Sequence, residues 1–200
     1  MKLKKWEIAL IIALVFTVLC SVGVARDQRR LSDKLIRLHV VANSDSEADQ
    51  ALKLAVRDRV TAFFAPLLTG ITERSDAEMV IRENLDTVTE VARGEIFAQG
   101  YGYAVTAKIT VEEFPTREYD TFSLPAGKYE ALRIEIGDAA GRNWWCVVFP
   151  PLCAAPAMDA LPVSALTPDE VALITEDSAE YVVRFKAIEF LSKLRVWLKF

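Results

Sequence analysis

The pattern of apolar and polar residues changes its period several times along the chain. Residues 35–42 are mostly apolar and β-branched, which predicts a half-buried strand. From residue 101 to residue 112 apolar and polar positions alternate, which predicts a long strand. Two further strands are predicted at 128–136 and 144–149, and the turn at 137–141 predicts that they form an antiparallel pair.

Two helices are predicted between the first strand and the second. Ser44, followed three residues later by Glu47, forms a capping box, so we expect a helix from about residue 45 to Pro66. A second capping box opens a helix over 75–96, whose apolar residues recur every three or four positions until Gly100 stops it. Both helices are therefore expected to be amphipathic.

The order of these elements indicates a fold class. After the strand at 144–149, the pattern predicts a short helix near 168–174, a strand at 181–185 and a helix at 190–198. Strands and helices arranged in this order predict an α+β fold with a mixed, largely antiparallel sheet and helices mainly on one face.

The amino terminus has the pattern of an export segment. Three lysines precede an uncharged apolar run of 18 residues, 8–25, which as a helix would span about 27 Å. This predicts a signal peptide or transmembrane helix over 1–26, preceding an exported domain over 27–200. Gly23 and Ala25 fit cleavage after Ala25, so secretion and anchoring to the membrane both stay open.

Composition and charge limit the classes of partner that this chain is expected to bind. The chain is 52% hydrophobic and 26% charged, which excludes a disordered chain. Without residues 1–26, 20 basic and 27 acidic side chains remain, a balance that disfavours nucleic acid and anionic lipid as partners. The single histidine, His39, excludes a histidine-rich zinc site, and common enzyme and nucleotide-binding motifs are absent. We therefore expect no cofactor, no small-molecule substrate and no enzymatic activity.

The cysteines leave two readings open. Cys20 lies in the apolar segment, so Cys146 and Cys153 are the pair in the predicted exported domain. Outside the cytoplasm, they either form a disulfide or are two small residues of the core.

His39 and the adjacent tryptophans Trp144 and Trp145 are the side chains whose chemistry could serve more than packing. His39 lies on the strand face opposite Leu38, where it is either a core residue or able to reach the acidic turn after the strand. Trp144 and Trp145 are adjacent, so in a strand they point to opposite faces, and one of them can meet a partner.

Several separated motifs resemble one family. They are the stretch from Arg37 to Asp58, Phe114-Pro-Thr-Arg, the segment from Leu124 to Arg133, and the segment from Asn143 to Cys153. Together they span most of 35–153 and resemble stage II sporulation protein R. The resemblance implies a protein made in the forespore and exported into the space between the two membranes. There it would activate a membrane-embedded aspartic protease that cleaves the sigma-E precursor of the mother cell.

The resemblance supplies motif positions but no assigned binding surface. Within these motifs, the residues with more polar or exposed character than packing needs are candidates for binding the protease: His39, Asn43, Asp45, Arg117, Trp144 and Trp145. The alternative function is that of a secreted hydrolase acting on cell-wall material around His39 and the turn at 43–49.

Overall fold

The computed structural model describes residues 4, 29–119, 122–152, 166, 167, 171 and 174. Packing divides the chain into a larger unit, 32–113 with 128–171, and a smaller unit, 1–31 with 114–127 and 172–200. The elements with defined bounds are β1 (Ile36–Val41), α1 (Glu47–Leu68), α2 (Arg74–Glu83), α3 (Leu85–Ala98), β2 (Val105–Phe114), β3 (Arg117–Glu118), β4 (Ser123–Leu124), β5 (Gly127–Ile136) and β6 (Asn143–Phe149).

The larger unit is built on a four-stranded sheet in the order β2-β5-β1-β6. β1 runs parallel to β5, with Leu38 opposite Leu132, and antiparallel to β6, with Leu38 opposite Cys146. β2 and β5 are antiparallel, since Gly137 N donates to Ala104 O at 2.8 Å at one end of the pair. The predicted α+β class with a mixed, largely antiparallel sheet is confirmed.

The predicted antiparallel pairing of the strands at 128–136 and 144–149 is wrong. β1 lies between β5 and β6, so those strands are not neighbours. The turn between them crosses the end of β1, where Ala140 N donates to Asn43 O at 3.1 Å and Gly141 N donates to Ala42 O at 2.9 Å. Because the turn is bound to the residues after β1, it delivers β6 to the far side of that strand.

In the described part of the chain, helices cover one face of the sheet. Glu130 of β5 accepts hydrogen bonds from Arg74 and, at 2.9 Å, from Arg82, both on α2. Trp144 of β6 lies under the guanidinium of Arg57 of α1, 4.4 Å from the ring centroid. Both contacts involve the sheet face that carries Val40, so α1 and α2 lie on the same side.

The predicted second helix is two helices. α2 and α3 meet at Asn84, whose side-chain Nδ2 donates to Val80 O at 2.8 Å, while its backbone N–H donates to Ile81 O at 3.2 Å. An asparagine that bonds to the preceding turn competes with the regular helical pattern, and here it breaks the helix. Pro66 does not end α1, which continues to Leu68.

The start of α1 also differs from the prediction. The N-cap is Ser46, whose Oγ accepts from Asp49 N at 3.1 Å, and the expected box of Ser44 with Glu47 does not form. Ser44 Oγ instead donates to Asp49 Oδ2 at 2.5 Å, and Asn43 Nδ2 donates to the same oxygen at 2.9 Å. Asp49 therefore gathers the polar residues that follow β1.

We call residues 43–49 together with the turn 137–142 the junction. Asn43 Oδ1 accepts from Asp138 N at 3.0 Å, and Asp45 Oδ1 accepts from Arg142 N at 2.7 Å. Gly137 has a φ of +56°, and a Cβ there would collide with the Asn43 side chain. The close approach requires glycine at this position.

The smaller unit contains a two-stranded sheet formed by β3 and β4. Arg117 pairs with Leu124 in this sheet. The rings of Tyr119 and Phe122 stack with centroids 4.4 Å apart, and Ala126 N donates to Thr116 Oγ1 at 3.1 Å. These contacts close a local hairpin.

Some predicted elements lie outside the described residues. They are the export segment 8–25, the strand at 181–185 and the helix at 190–198. Where the structure does describe the chain, it contains no helix with the length and apolar character needed to cross a bilayer.

Replacing Asp49 with asparagine tests the junction. Asp49 is 4% exposed, and hydrogen bonds from Ser44 and then Asn43 lower its pKa below the ordinary value of 3.8. We expect the variant to lose about 1–3 kcal/mol of unfolding free energy near neutral pH. Because the folded-state pKa is depressed, this contribution is present above about pH 4 and is lost as pH falls through the folded-state value.

Chemical denaturation at about pH 7 and about pH 3 measures the effect, and the difference from the parent chain should shrink at the lower pH. Asp58→Asn is the matched control on the same helix, because the Asp58 side chain is exposed and should change little. An equal loss at both pH values would contradict the role given to the Asp49 carboxylate.

Candidate functional site

A group of polar and aromatic side chains occupies the sheet face opposite α1 and α2. We call this group the polar sheet face. It consists of His39, Lys108, Glu112, Arg133, Glu135, Asn143 and Trp145. β1, β2, β5 and β6 all contribute to it, so all four strands must be in place for it to form.

His39 connects strands that are not adjacent. Its Nδ1 lies 2.6 Å from Glu112 Oε2 on β2, and its Nε2 lies 2.8 Å from Asn143 Oδ1 on β6. Arg133 Nη1 also donates to Glu112 Oε2, at 3.2 Å. These bonds satisfy His39 in a strand that is buried on both faces, whereas the sequence predicted a half-buried strand.

The network continues along β5 and β2. Arg133 Nε donates to Glu135 Oε1 at 2.7 Å, and Lys108 Nζ donates to Glu135 Oε2 at 2.9 Å. The bond from Lys108, opposed by partial burial and reinforced by the bond from Arg133, lowers the pKa of Glu135. The two acidic and two basic side chains of this face are thus paired with one another.

Trp145 lies beside His39, with ring centroids 5.7 Å apart and planes tilted by 47°. Trp145 is half-buried, and the neighbouring Asn143 is exposed. The accessible part of this region therefore combines an indole surface with an amide. That combination is typical of protein-binding surfaces, where tryptophan is enriched among the residues that contribute most energy.

The structure brings only some of the predicted residues together. His39 and Trp145 meet on the polar sheet face. Asn43 and Asp45 lie in the junction, where their side chains hold the turn that precedes Asn143. Neither is bonded to His39 in the contacts of the described residues.

Trp144 and Arg117 lie elsewhere. Trp144 faces the helices beneath Arg57, as expected for adjacent tryptophans on opposite faces, and its Nε1 has no hydrogen-bond partner in the described part of the chain. Arg117 is exposed on β3 in the smaller unit. Cys146 is disulfide-bonded, but Cys153 lies outside the described residues, so the pairing of these two cysteines stays a prediction.

Sequence reasoning missed the charged partners of His39. Glu112 falls on the polar side of the alternating 101–112 pattern, and Arg133 and Glu135 alternate with apolar residues along β5. That alternation assigned each residue to a strand face. It did not indicate that β5 lies beside β1, which is what places Arg133 and Glu112 next to His39.

Within the described residues, no group of three or more histidine, cysteine or acidic side chains is arranged to hold a metal ion. The hydrogen-bonding capacity of the polar sheet face is mostly used within the face itself. The arrangement is therefore suited to presenting a shaped surface, with Trp145 and Asn143 at its accessible part.

The described part of the chain is thus a mixed α+β domain whose polar groups gather on one sheet face. A family model described as Stage II sporulation protein R matches residues 32–159. The chain belongs to the stage II sporulation protein R family, which gives it a role in sporulation, and the resemblance of its motifs to this family is confirmed.

One similar curated protein is stage II sporulation protein R of Bacillus subtilis (strain 168). It is 39% identical over 123 residues, which are 62% of this chain and 55% of that protein. The matched part thus spans about half the length of that relative. No solved structure matches the chain significantly.

A double-mutant cycle tests whether His39 and Glu112 stabilise the sheet together. We expect His39→Gln and Glu112→Gln each to destabilise the domain, with a coupling energy of about 1–3 kcal/mol, because both side chains are largely buried and directly bonded. Denaturant unfolding of the parent, the two single variants and the double variant gives the coupling.

The control cycle uses Glu113 and Lys128. This ion pair joins β2 to β5 at 4.0 Å, but its side chains are 81% and 73% exposed. Its coupling should be near zero, as for most exposed ion pairs. Equal coupling in the two cycles would mean that the bond between His39 and Glu112 does not link the strands as described.

Proposed function

We propose that this chain is an exported sporulation signal that activates a membrane-embedded aspartic protease, which then cleaves the sigma-E precursor of the mother cell. Membership of the stage II sporulation protein R family supports the sporulation part of the proposal. The apolar run 8–25 supports export from the forespore into the intermembrane space, with the domain either released or anchored there.

The observation that carries the binding role is the position of Trp145. It is half-buried beside His39 on the polar sheet face, opposite the helices. A tryptophan held by its neighbours presents apolar area with little loss of side-chain freedom on binding. We therefore assign the protease contact to Trp145 and Asn143, and we assign to the buried His39 the role of holding these two residues in place.

Activation needs no covalent chemistry by this chain. A domain that binds the active arrangement of the protease better than the inactive one shifts the population toward activity. Shifting a 1:99 balance to 99:1 takes about 5.5 kcal/mol of preferential binding. An interface with one tryptophan anchor can supply a large share of this, since such residues contribute about 2–4 kcal/mol each.

Trp145→Ala is the test of this surface. In cells that produce the protease and the sigma-E precursor together with this chain, we expect the variant to reduce precursor cleavage by about tenfold, because a loss of about 4 kcal/mol of preferential binding takes the 99:1 balance to about 1:9. Trp145→Phe should lose less, because it retains an aromatic ring. Immunoblots of precursor and product measure the cleavage.

Two controls separate binding from folding. Met79→Ala removes an exposed apolar side chain from α2, on the helix side, and should leave cleavage unchanged. Thermal unfolding and the exported amount of each variant must match the parent within the range of this control. Normal cleavage with Trp145→Ala would remove Trp145 from the interface.

Arg117 has to be tested separately, because it lies in the smaller unit. If Arg117→Ala reduces cleavage while the exported amount is unchanged, the protease contact includes β3. If it has no effect, the contact is confined to the larger unit.

The competing function is a hydrolase that uses His39, and the 2.6 Å bond between His39 Nδ1 and Glu112 Oε2 is the observation that favours it. A carboxylate beside a histidine is the orienting half of many hydrolytic sites. However, His39 Nε2 is bonded to Asn143 Oδ1 rather than to a nucleophile.

His39→Gln distinguishes the two functions. A hydrolase would lose nearly all activity on wall material, whereas a binding domain would show a graded loss of precursor cleavage. Wall digestion by the parent chain that disappears in this variant would refute the binding function.

A further inference from the structure

In the part of the chain that the structure describes, β2 forms an open edge of the four-stranded sheet. In the order of the described strands it stands at one end, beyond β5. It is ten residues long, contains no proline, and carries Val111 with 68% of its surface exposed. Long open edges with exposed apolar residues are templates for pairing with another strand, and most proteins protect them with prolines, bulges or charged side chains. β2 has charged residues but no proline, so its charges decide which pairings are favourable.

The backbone of β2 determines which residues can pair at this edge. Ala104 O accepts from Gly137 N of the β5 side. Since successive residues of a strand direct their backbone groups to opposite sides, the even-numbered residues of β2 bond to β5. The odd-numbered residues from 105 to 113 therefore direct their N–H and C=O groups to the open edge.

The sequence of β2 is complementary to itself in one register. In an antiparallel pair of two β2 strands, the odd-numbered residues of one copy pair with the odd-numbered residues of the other. The two-fold axis of this pair can pass through Thr110. Lys108 then lies opposite Glu112 of the second copy, and Ile109 lies opposite Val111 of the second copy. Opposite charges and β-branched pairs in these positions stabilise a sheet.

Placing the two-fold axis at other residues of β2 does not bring both charges opposite a residue of opposite charge. Centring the pair on Lys108 or on Glu112 places like charges opposite each other, which is destabilising. Centring it on Ile109 or Val111 places Thr110 opposite one of the charged residues and leaves the other charge opposite an uncharged residue. Among these five centres, Thr110 alone pairs both charges.

We propose that two copies of this chain associate through antiparallel pairing of their β2 strands, with Thr110 on the two-fold axis. The two four-stranded sheets then form one continuous sheet, and Val111 is covered by Ile109 of the second copy. This association does not depend on the proposed activation of the protease.

A cysteine at the two-fold axis tests the register. Thr110 and its copy form a non-hydrogen-bonded pair with Cα atoms about 4.5 Å apart. This lies within the ~4.4–6.8 Å range over which a disulfide forms. In the full-length chain, we expect mild oxidation of Thr110→Cys in cells to give a reducible band at twice the chain mass.

Thr106→Cys is the matched control, because Thr106 is an exposed threonine on the same face of β2. In the proposed register the two copies of Thr106 are about 27 Å apart, so no dimer band should form above that of the unsubstituted chain. The unsubstituted chain also gives the background from the native cysteines.

Each other outcome opposes the proposal. Equal bands for the two variants would mean random collision. A Thr110→Cys adduct at a mass other than twice that of the chain would mean that β2 pairs with a different protein. The absence of any adduct would refute pairing centred on Thr110.

The second measurement uses no added cysteine. In a mild detergent, sedimentation of the full-length chain should give a dimer that Val111→Lys converts to a monomer and Val111→Thr retains. Because Val111 is exposed in the single chain, neither change should alter its circular dichroism. A monomeric parent chain, or a dimer that persists in Val111→Lys, would overturn the proposal.

Discussion

The burial of Arg37 and His39 on the central strand β1 is the constraint on which the rest of the sheet depends. A buried polar side chain that loses its hydrogen-bond partner costs about 1–3 kcal/mol. Arg37 is fully buried, and its Nε donates to Cys146 O at 2.8 Å on β6. His39 is 4% exposed and bonds to Glu112 on β2. A one-residue slip of β1 would move His39 to the helix-covered face, where Glu112 does not lie, and would change the position of Arg37 relative to Cys146 O.

The junction transmits this constraint to the candidate site. Asn143, the β6 partner of His39, is paired with Val41 at the end of β1, and it follows directly after Arg142. Arg142 N is held by Asp45 Oδ1 at 2.7 Å. The acidic turn at the start of α1 therefore positions the chain that carries Asn143, although it does not join the polar sheet face itself.

The sequence located the four strands of the larger sheet, but it indicated neither their order nor the short strands β3 and β4. Alternation along 101–112 and 128–136 identified β2 and β5 because each strand has one apolar face. It carried no information on which strand borders which, so the place of β1 between β5 and β6 was missed, and Glu112 and Arg133 were missed with it. The helix boundaries failed for a local reason: Ser46 and Asn84 bond to nearby backbone groups, and several polar residues in each segment are able to do so.

The two faces of the sheet differ in what a partner could gain from them. On the helix side, Glu130 is already bonded to Arg74 and Arg82, and α1 covers Trp144. On the other side the charges are also paired, so a partner that replaced those pairs would have to compensate for their lost bonds and desolvation. Charge on this face therefore favours orientation and selectivity over affinity. The affinity has to come from apolar area, and on the polar sheet face Trp145 is the side chain that offers it.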